Sequence, residues 1–215
     1  MAALRLWGQE ASGNCYKVKL LAAHLGIALE WVRVDVTKGD TRTPEFLAMS
    51  PAGQVPLLRC ADGSFLPESG AILWYLGDGS RFMPTDPLAR ARVLQWMFFE
   101  QYRVEPNIAT SRYWIHLLEA ADRYAAQLAA KREPGLAALA VMEAHLARED
   151  WFPGGAPSLA DIALYGYVHC APEGGFALDA FPRIRAWAQR LAALPGHIAM
   201  HDPLRPPSAY VEGLP

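Results

Sequence analysis

Apolar and polar residues alternate through Ala3-Leu4-Arg5-Leu6-Trp7, the period-two pattern of a strand. Cys15, Val18, Ala22 and Leu25 then recur at spacings of three, four and three, which predicts a helix with one buried stripe. Gly26 is placed to end that helix in a left-handed conformation. From Leu29 to Val36, Val32, Val34 and Val36 share one parity, and Trp31, Arg33 and Asp35 share the other, so a second strand follows. Thr43-Pro44-Glu45 supplies an N-cap, a first-turn proline and an acid, predicting a short helix over Phe46 to Met49. Pro56 to Cys60 and Ser64 to Leu66 read as strands around a two-residue hairpin turn, Asp62-Gly63. A helix over Ser69 to Leu76 completes the order β-α-β-α-β-β-α.

Past Pro84 the pattern becomes helical. Asp86-Pro87 opens a long helix that Pro106 is expected to kink or interrupt. Residues 120–147 hold eleven alanines and one β-branched residue, Val141, a strong helix bias that Pro134-Gly135 is expected to split in two. Ser158 and Asp161 have capping-box spacing before a helix running to about His169. Phe181-Pro182 opens the last helix, Arg183 to Leu194, which Pro195-Gly196 stops. The proline-rich tail from His201 reads as extended. The expected organisation is therefore an α/β domain over 1–78, a linker near 77–86, and an all-helical domain over 86–215.

Composition narrows the functional classes. Twenty basic against 22 acidic residues leave a formal charge of −2, without the basic footprint of a nucleic-acid binder. No stretch approaches 18 consecutive apolar residues, so no membrane span is expected. The opening MAALRLWGQE lacks the pattern of a secretory leader, and a cytoplasmic location is the expectation. Three separated cysteines make no disulfide framework. The six histidines show neither His-x-His nor His-Glu-x-x-His spacing, and no Gly-x-Gly-x-x-Gly or P-loop pattern occurs, so neither a metal nor a nucleotide cofactor is expected.

Four segments of the first half carry the chemistry. They are Ala11-Ser12-Gly13-Asn14-Cys15-Tyr16-Lys17-Val18, Gly39-Asp40-Thr41-Arg42-Thr43-Pro44-Glu45-Phe46-Leu47, Gly53-Gln54-Val55-Pro56-Leu57-Leu58 and Pro67-Glu68-Ser69-Gly70-Ala71-Ile72. In this order, followed by an alanine-rich helical half and Ser158…Asp161, they resemble the cytosolic glutathione S-transferases, specifically bacterial-type members with a serine-class-like N-terminal motif. The resemblance spans residues 4 to 200. It implies a thioredoxin-like domain followed by a helical bundle, glutathione as co-substrate, and a homodimer.

The resemblance also implies roles. Ser12 aligns with the catalytic serine of the serine-type classes, where a hydroxyl at a helix N-terminus favours the thiolate of glutathione by hydrogen bonding and dipole. The same residue can simply N-cap the helix, and the two roles are compatible. Asn14 is the rival, because Ser12-Gly13-Asn14 resembles the Thr-x-Asn arrangement of some bacterial members, whose asparagine amide can donate to sulfur and whose implied activity is disulfide reduction. Cys15 lies on the apolar stripe and reads as a buried structural thiol. Val55-Pro56 stands where the family has a cis-proline, with Val55 pairing to the cysteinyl backbone of glutathione. Glu68 and Ser69 would meet the γ-glutamyl end, and Arg42 and Gln54 the glycine end or the backbone of the tripeptide.

In the helical half, Tyr102, Arg103, Ile108 and Trp114 are the candidates to face a small hydrophobic electrophile, while Asp161 belongs to the fold. The leading expectation is a detoxifying glutathione transferase. A glutathione-dependent disulfide reductase or peroxidase, and a non-catalytic interaction module, are the alternatives.

Overall fold

Strand β1 (Leu4–Gly8) forms where alternation predicts it, and its two faces organise the first half of the chain. Residues 4–213 are described by the computed structural model, so Ala3 of the expected strand lies outside the described residues. Leu6 aligns with Trp31 of β2 (Leu29–Arg33) and with Leu58 of β3 (Leu57–Arg59), while Trp7 aligns with Val32 and Leu57. Trp7, Val32, Val34, Leu57 and Phe46 of helix α2 (Pro44–Met49) make one buried cluster. On the opposite face lies helix α1 (Gly13–Leu25): a Cβ added to Gly8 would sit 2.8 Å from the Trp31 ring and 3.3 Å from Cys15 Cβ. Helix α3 (Ser69–Gly77) packs against α1. Burying each such large side chain stabilises the unit by about 1.5–3 kcal/mol.

β2 ends at Arg33, three residues earlier than alternation suggested, although Val34 N–H still donates to Gly8 O at 3.1 Å. The turn before β4 (Phe65–Pro67) also differs from expectation. Cys60 N–H donates to Ser64 O, leaving three residues in the turn rather than two, with Gly63 at φ 87°. Asp62 explains the extra residue. Its carboxylate accepts from both the N–H and the hydroxyl of Ser64, at 2.9 and 2.6 Å, a local bond that competes with a tighter turn.

The sheet order is β4-β3-β1-β2-β5, with β1–β2 and β2–β5 parallel and the other pairs antiparallel. The fifth strand, β5 (Ala209–Val211), comes from the C-terminal tail. This corrects the expected helical domain over 86–215: the chain divides into one unit running to Asp78 and resuming at Pro195, and a second, Gly79–Leu194. Side chains of α1 grip the returning backbone. The Tyr16 hydroxyl donates to Ile198 O at 2.8 Å, Lys19 Nζ donates to Met200 O at 3.0 Å and to Asp202 O, and the His24 ring pairs with Pro195 O. Such long-range side-chain bonds leave no trace in hydropathy, which is why the tail read as merely extended.

The second unit is helical. Asp86 Oδ1 accepts from Ala89 N–H at 2.8 Å and starts α4 (Pro87–Phe99). The helix does not break at Pro106. It widens to π-helical turns over Glu100–Ala109, passes through α5 (Thr110–Arg112) and widens again over Tyr113–Leu117. Proline has no N–H to give, and the shifted ladder absorbs that loss while the Thr110 hydroxyl reaches back to Glu105 O.

α6 (Ala125–Leu146) likewise runs unbroken through Pro134-Gly135. Glycine at 135 serves packing: a Cβ there would fall 2.3 Å from the Phe176 ring, so glycine lets that ring pack directly on the helix. α7 (Leu159–Val168) is buried along its whole length, and α8 (Pro182–Ala192) follows. The Ser158–Asp161 capping box forms as expected. No helix among the described residues is long and apolar enough to cross a membrane.

Candidate active site

Ser12 starts α1 by accepting from Cys15 N–H at 3.4 Å, with its own backbone extended at φ −82° and ψ 122°. Ser69 is the first residue of α3 and is buried. The preceding Glu68 holds φ at 71°, a region that non-glycine residues seldom occupy. Such conformations cost about 1–3 kcal/mol and persist where the surrounding structure imposes them. Neither helix carries an acidic residue in its first turn, so neither positive dipole end is neutralised from within its own helix.

Asn14 joins the two helix ends. Its Oδ1 accepts from the Ser69 hydroxyl at 3.2 Å and from Lys17 Nζ at 2.7 Å. An ammonium can only donate, so the atom it touches is the oxygen, and the Nδ2 group faces the other way. Lys17 was not among the residues singled out from sequence, yet it is 1% exposed. Its signal was available, since it stands three residues after Asn14 and therefore on the same helix face.

The Val55–Pro56 bond is cis, and Pro56 is buried beside an exposed Gln54. Arg42 Nη1 donates to Ala52 O at 3.2 Å, folding the guanidinium over the turn at Gly53. That glycine has φ 62°, and a Cβ there would lie 2.5 Å from Arg42 Nη1. Arg42 and Gln54 thus reach one turn from two different segments.

The Cys15 thiol is fully buried and pushed up to about 11. Burial is the main cause, working against hydrogen bonds from the Ser12 side chain and the Gln9 backbone. At neutral pH it is a protonated core thiol. Among the described residues, no group of three or more His, Cys, Asp or Glu could hold a metal ion.

In the helical unit, Tyr102 is 76% exposed, and Arg103 is also exposed, its guanidinium 5.6 Å from the Tyr102 ring. Trp114 stacks on Tyr124 with centroids 4.5 Å apart and has Lys131 Nζ over its ring at 5.4 Å. Ile108 corrects the expectation of a ligand-facing residue: it is fully buried, as is Val104 one turn earlier, in the core of the helical unit.

Residues 11–78 match the family model for the glutathione S-transferase N-terminal domain, and residues 104–195 match that for the C-terminal domain. The chain belongs to the glutathione S-transferase family. Its thioredoxin-like unit and helical unit are the family's two domains. Glutathione S-transferase 3 of Zea mays is 32% identical over 212 residues, covering 91% of this chain and 91% of the relative.

Two other relatives of similar distance carry different activities in their names. Maleylacetoacetate isomerase of Pseudomonas aeruginosa is 29% identical over 213 residues, covering 94% of this chain and 98% of its own. Disulfide-bond oxidoreductase YfcG of Escherichia coli is 28% identical, covering 85% and 87%. Among solved structures, a glutathione S-transferase from Pseudomonas fluorescens is 45% identical with a TM-score of 0.91, covering 94% of this chain and all of that one. Another family member from P. fluorescens, solved with two glutathione bound, is 25% identical with a TM-score of 0.78 and covers 90% of each chain. Membership in the glutathione S-transferase family supports a glutathione-dependent enzyme.

Proposed function

We propose that this chain is a glutathione transferase that holds glutathione as its thiolate and directs the sulfur at a small hydrophobic electrophile. The observation that carries the reading is the meeting of two helix N-termini through Asn14 and Ser69, which sets two anion-favouring ends side by side. A tripeptide that presents a carboxylate and a thiolate needs two such ends.

In this reading the γ-glutamyl carboxylate takes the N-terminus of α3 at Ser69, and Glu68 accepts from the α-ammonium. The Val55 backbone pairs with the cysteinyl residue, and Gln54 and Arg42 hold the glycine end. Ser12 serves twice: its oxygen caps α1, and its single proton goes to the glutathione sulfur. A thiolate accepts that proton more strongly than the protonated Cys15 thiol does. Preferential stabilisation of about 1.4 kcal/mol lowers the thiol pKa by one unit, within the range of one charge-assisted hydrogen bond. The thiolate then forms a C–S bond to the electrophilic carbon, and the leaving group departs with its electron pair. Tyr102, Arg103 and Trp114 are the candidates for contact with the electrophile. Homodimerisation and a cytoplasmic, detoxifying role belong to the same proposal and rest on the family resemblance.

A second reading, glutathione-dependent disulfide reduction, draws support from Asn14, whose amide is oriented by Lys17 and Ser69. Titrating glutathione against the protein and following thiolate ultraviolet absorbance with pH tests the activating site. A bound-thiol pKa lowered by about one unit or more is expected. Ser12→Ala should reduce turnover of a chlorinated aromatic substrate about ten- to hundredfold while most glutathione affinity remains. Unchanged turnover removes Ser12 from the mechanism, and turnover of a disulfide alone selects the second reading.

A further inference from the structure

Strand β5 returns to the edge of the sheet with its side chains on alternating faces. Val211 aligns with Val32 and packs against the cluster of Trp7 and Leu57, while Tyr210 aligns with Trp31, on the face that carries α1. There the Arg33 guanidinium lies 3.9 Å from the centre of the Tyr210 ring, and Arg33 Nε and Nη2 each donate to Glu10 Oε1 at 3.2 Å. The Tyr210 side chain is hydrogen-bonded to the Glu10 carboxylate as well, closing a triangle of residues from the turn before α1, the end of β2 and β5. Partial burial pushes the Glu10 carboxyl up, but the bonds to Tyr210 and Arg33 outweigh it and hold the group below its ordinary value, with Lys19 adding attraction. Glu10 is therefore an anion at neutral pH, and the phenol is the donor.

Glu10 is the second residue of the turn 9–12, which Ser12 N–H closes by donating to Gln9 O at 3.1 Å. From inside, the Gln9 backbone and the Ser12 side chain are hydrogen-bonded to the Cys15 sulfur. From outside, Arg33 and Tyr210 hold Glu10. We infer that Tyr210 is a positioning residue: through the Glu10 carboxylate it fixes the turn that sets the Ser12 hydroxyl, so that the end of the chain supports the serine at its start. The inference rests on the glutathione reading given above, in which Ser12 activates the sulfur. A hydroxyl favours a thiolate only along a directed O–H bond, and a turn free to shift aims that bond less often. The triangle is partly exposed, so its effect is fewfold rather than hundredfold.

The test uses full-length Tyr210→Phe, which keeps the ring beneath Arg33 and the pairing of β5 but loses the hydroxyl. The bound glutathione thiol, read by thiolate absorbance, should rise by about half a pKa unit, a threefold weaker preference for the thiolate. KM for glutathione and the unfolding midpoint should stay close to wild type, which a merely structural role for Tyr210 does not predict. Glu10→Ala should raise the thiol pKa at least as far, and adding Tyr210→Phe to it should cost nothing more, because both changes release the same turn. Glu10→Gln keeps an acceptor and should recover part of the loss. In a Ser12→Ala background Tyr210→Phe should be silent.

A second readout needs no glutathione: exchange of the Ser12 amide hydrogen, which the turn protects, should speed about threefold in Tyr210→Phe and in Glu10→Ala. An unaltered thiol pKa in both variants overturns the inference, as does a shift that persists without the Ser12 hydroxyl or losses that multiply in the Glu10–Tyr210 double variant. A wild-type protein that binds glutathione with no lowering of the thiol pKa overturns the activating reading instead. The Ser12 exchange rate then decides, by its own change or constancy, whether Tyr210 holds the turn.

Discussion

The Trp187 indole N–H donates to Asp161 Oδ1 at 2.8 Å, tying α8 to the first turn of α7. The same oxygen accepts from Phe152 N–H at 3.0 Å, and Oδ2 accepts from Ser158 N–H at 2.8 Å. One fully buried carboxylate therefore satisfies three donors from three separate parts of the helical unit.

Removing that carboxylate orphans all three donors. At about 1–3 kcal/mol for each buried unsatisfied group, Asp161→Ala should destabilise the protein by roughly 3 kcal/mol or more, measured by denaturant unfolding. The pH dependence has a defined sign. Burial pushes the Asp161 carboxyl up to about 7, against the N–H groups of Phe152, Trp187 and Ser158. An acid whose folded pKa is raised binds its proton more tightly when folded, so its contribution is greatest below about 4 and is lost as pH rises through about 7. The stability advantage of wild type over Asp161→Asn should therefore grow as pH falls from 8 to 5. An advantage that shrinks over that interval contradicts the assignment.

Much of this was legible in the chain, for identifiable reasons. Ser12, Thr43, Asp86 and Ser158 start helices through local hydrogen bonds spanning two or three residues, and short-range chemistry of that kind is written in the sequence. The departures were decided at long range. Pro134-Gly135 is a strong breaker taken alone, yet α6 runs through it, with Phe176, forty-one residues after Gly135, packed against the glycine. Tail strand β5 depends on pairing with β2, which no pattern in residues 201–215 announces. Ile108 sits among aromatics and polar residues that suggest a cleft, but within the widened turns of Glu100–Ala109 it is fully buried. At the site, Ser12, Asn14 and Ser69 were all singled out as separate candidates. The bond that joins Asn14 to Ser69 needed the fold.

The cysteines should be slow to react in the native state. Burial raises the Cys15 thiol to about 11 and the Cys170 thiol to about 12, and Cys60 is also buried. Thiolate is the reactive form, so a disulfide reagent near pH 8 should titrate less than one fast thiol in folded protein and three after denaturation. Cys15→Ala should retain glutathione-dependent turnover. Its loss, in protein that remains folded, would make Cys15 a catalytic candidate.

Two glycines separate packing from conformation. Gly135 has the Phe176 ring 2.3 Å from where a Cβ would sit, so Gly135→Ala should destabilise by about 1–3 kcal/mol despite alanine's better helix propensity. Gly155 has nothing within 4 Å of that position, and Gly155→Ala should change the unfolding midpoint very little. Equal effects at the two sites would rule out the Phe176 contact as the reason that α6 keeps its glycine.

Gly53 links backbone conformation to the proposed glutathione site. Its φ of 62° suits glycine, and an added Cβ would stand 2.9 Å from Thr41 O and 2.5 Å from Arg42 Nη1. Gly53→Ala must therefore either shift the turn that carries Gln54 and Val55 or displace the Arg42 guanidinium from Ala52 O. Both movements act on residues assigned to glutathione, and neither touches Ser12. The expected outcome is a KM for glutathione raised about tenfold, with kcat at saturation within about twofold of wild type, the signature of lost binding that is uniform between ground and transition states. Arg42→Ala should raise KM in the same direction, and the double variant should fall short of the product of the two, since one change displaces what the other removes. A fall in kcat with KM unchanged would instead place the Gly53 turn in control of the sulfur, and would detach Arg42 and Gln54 from the glycine end.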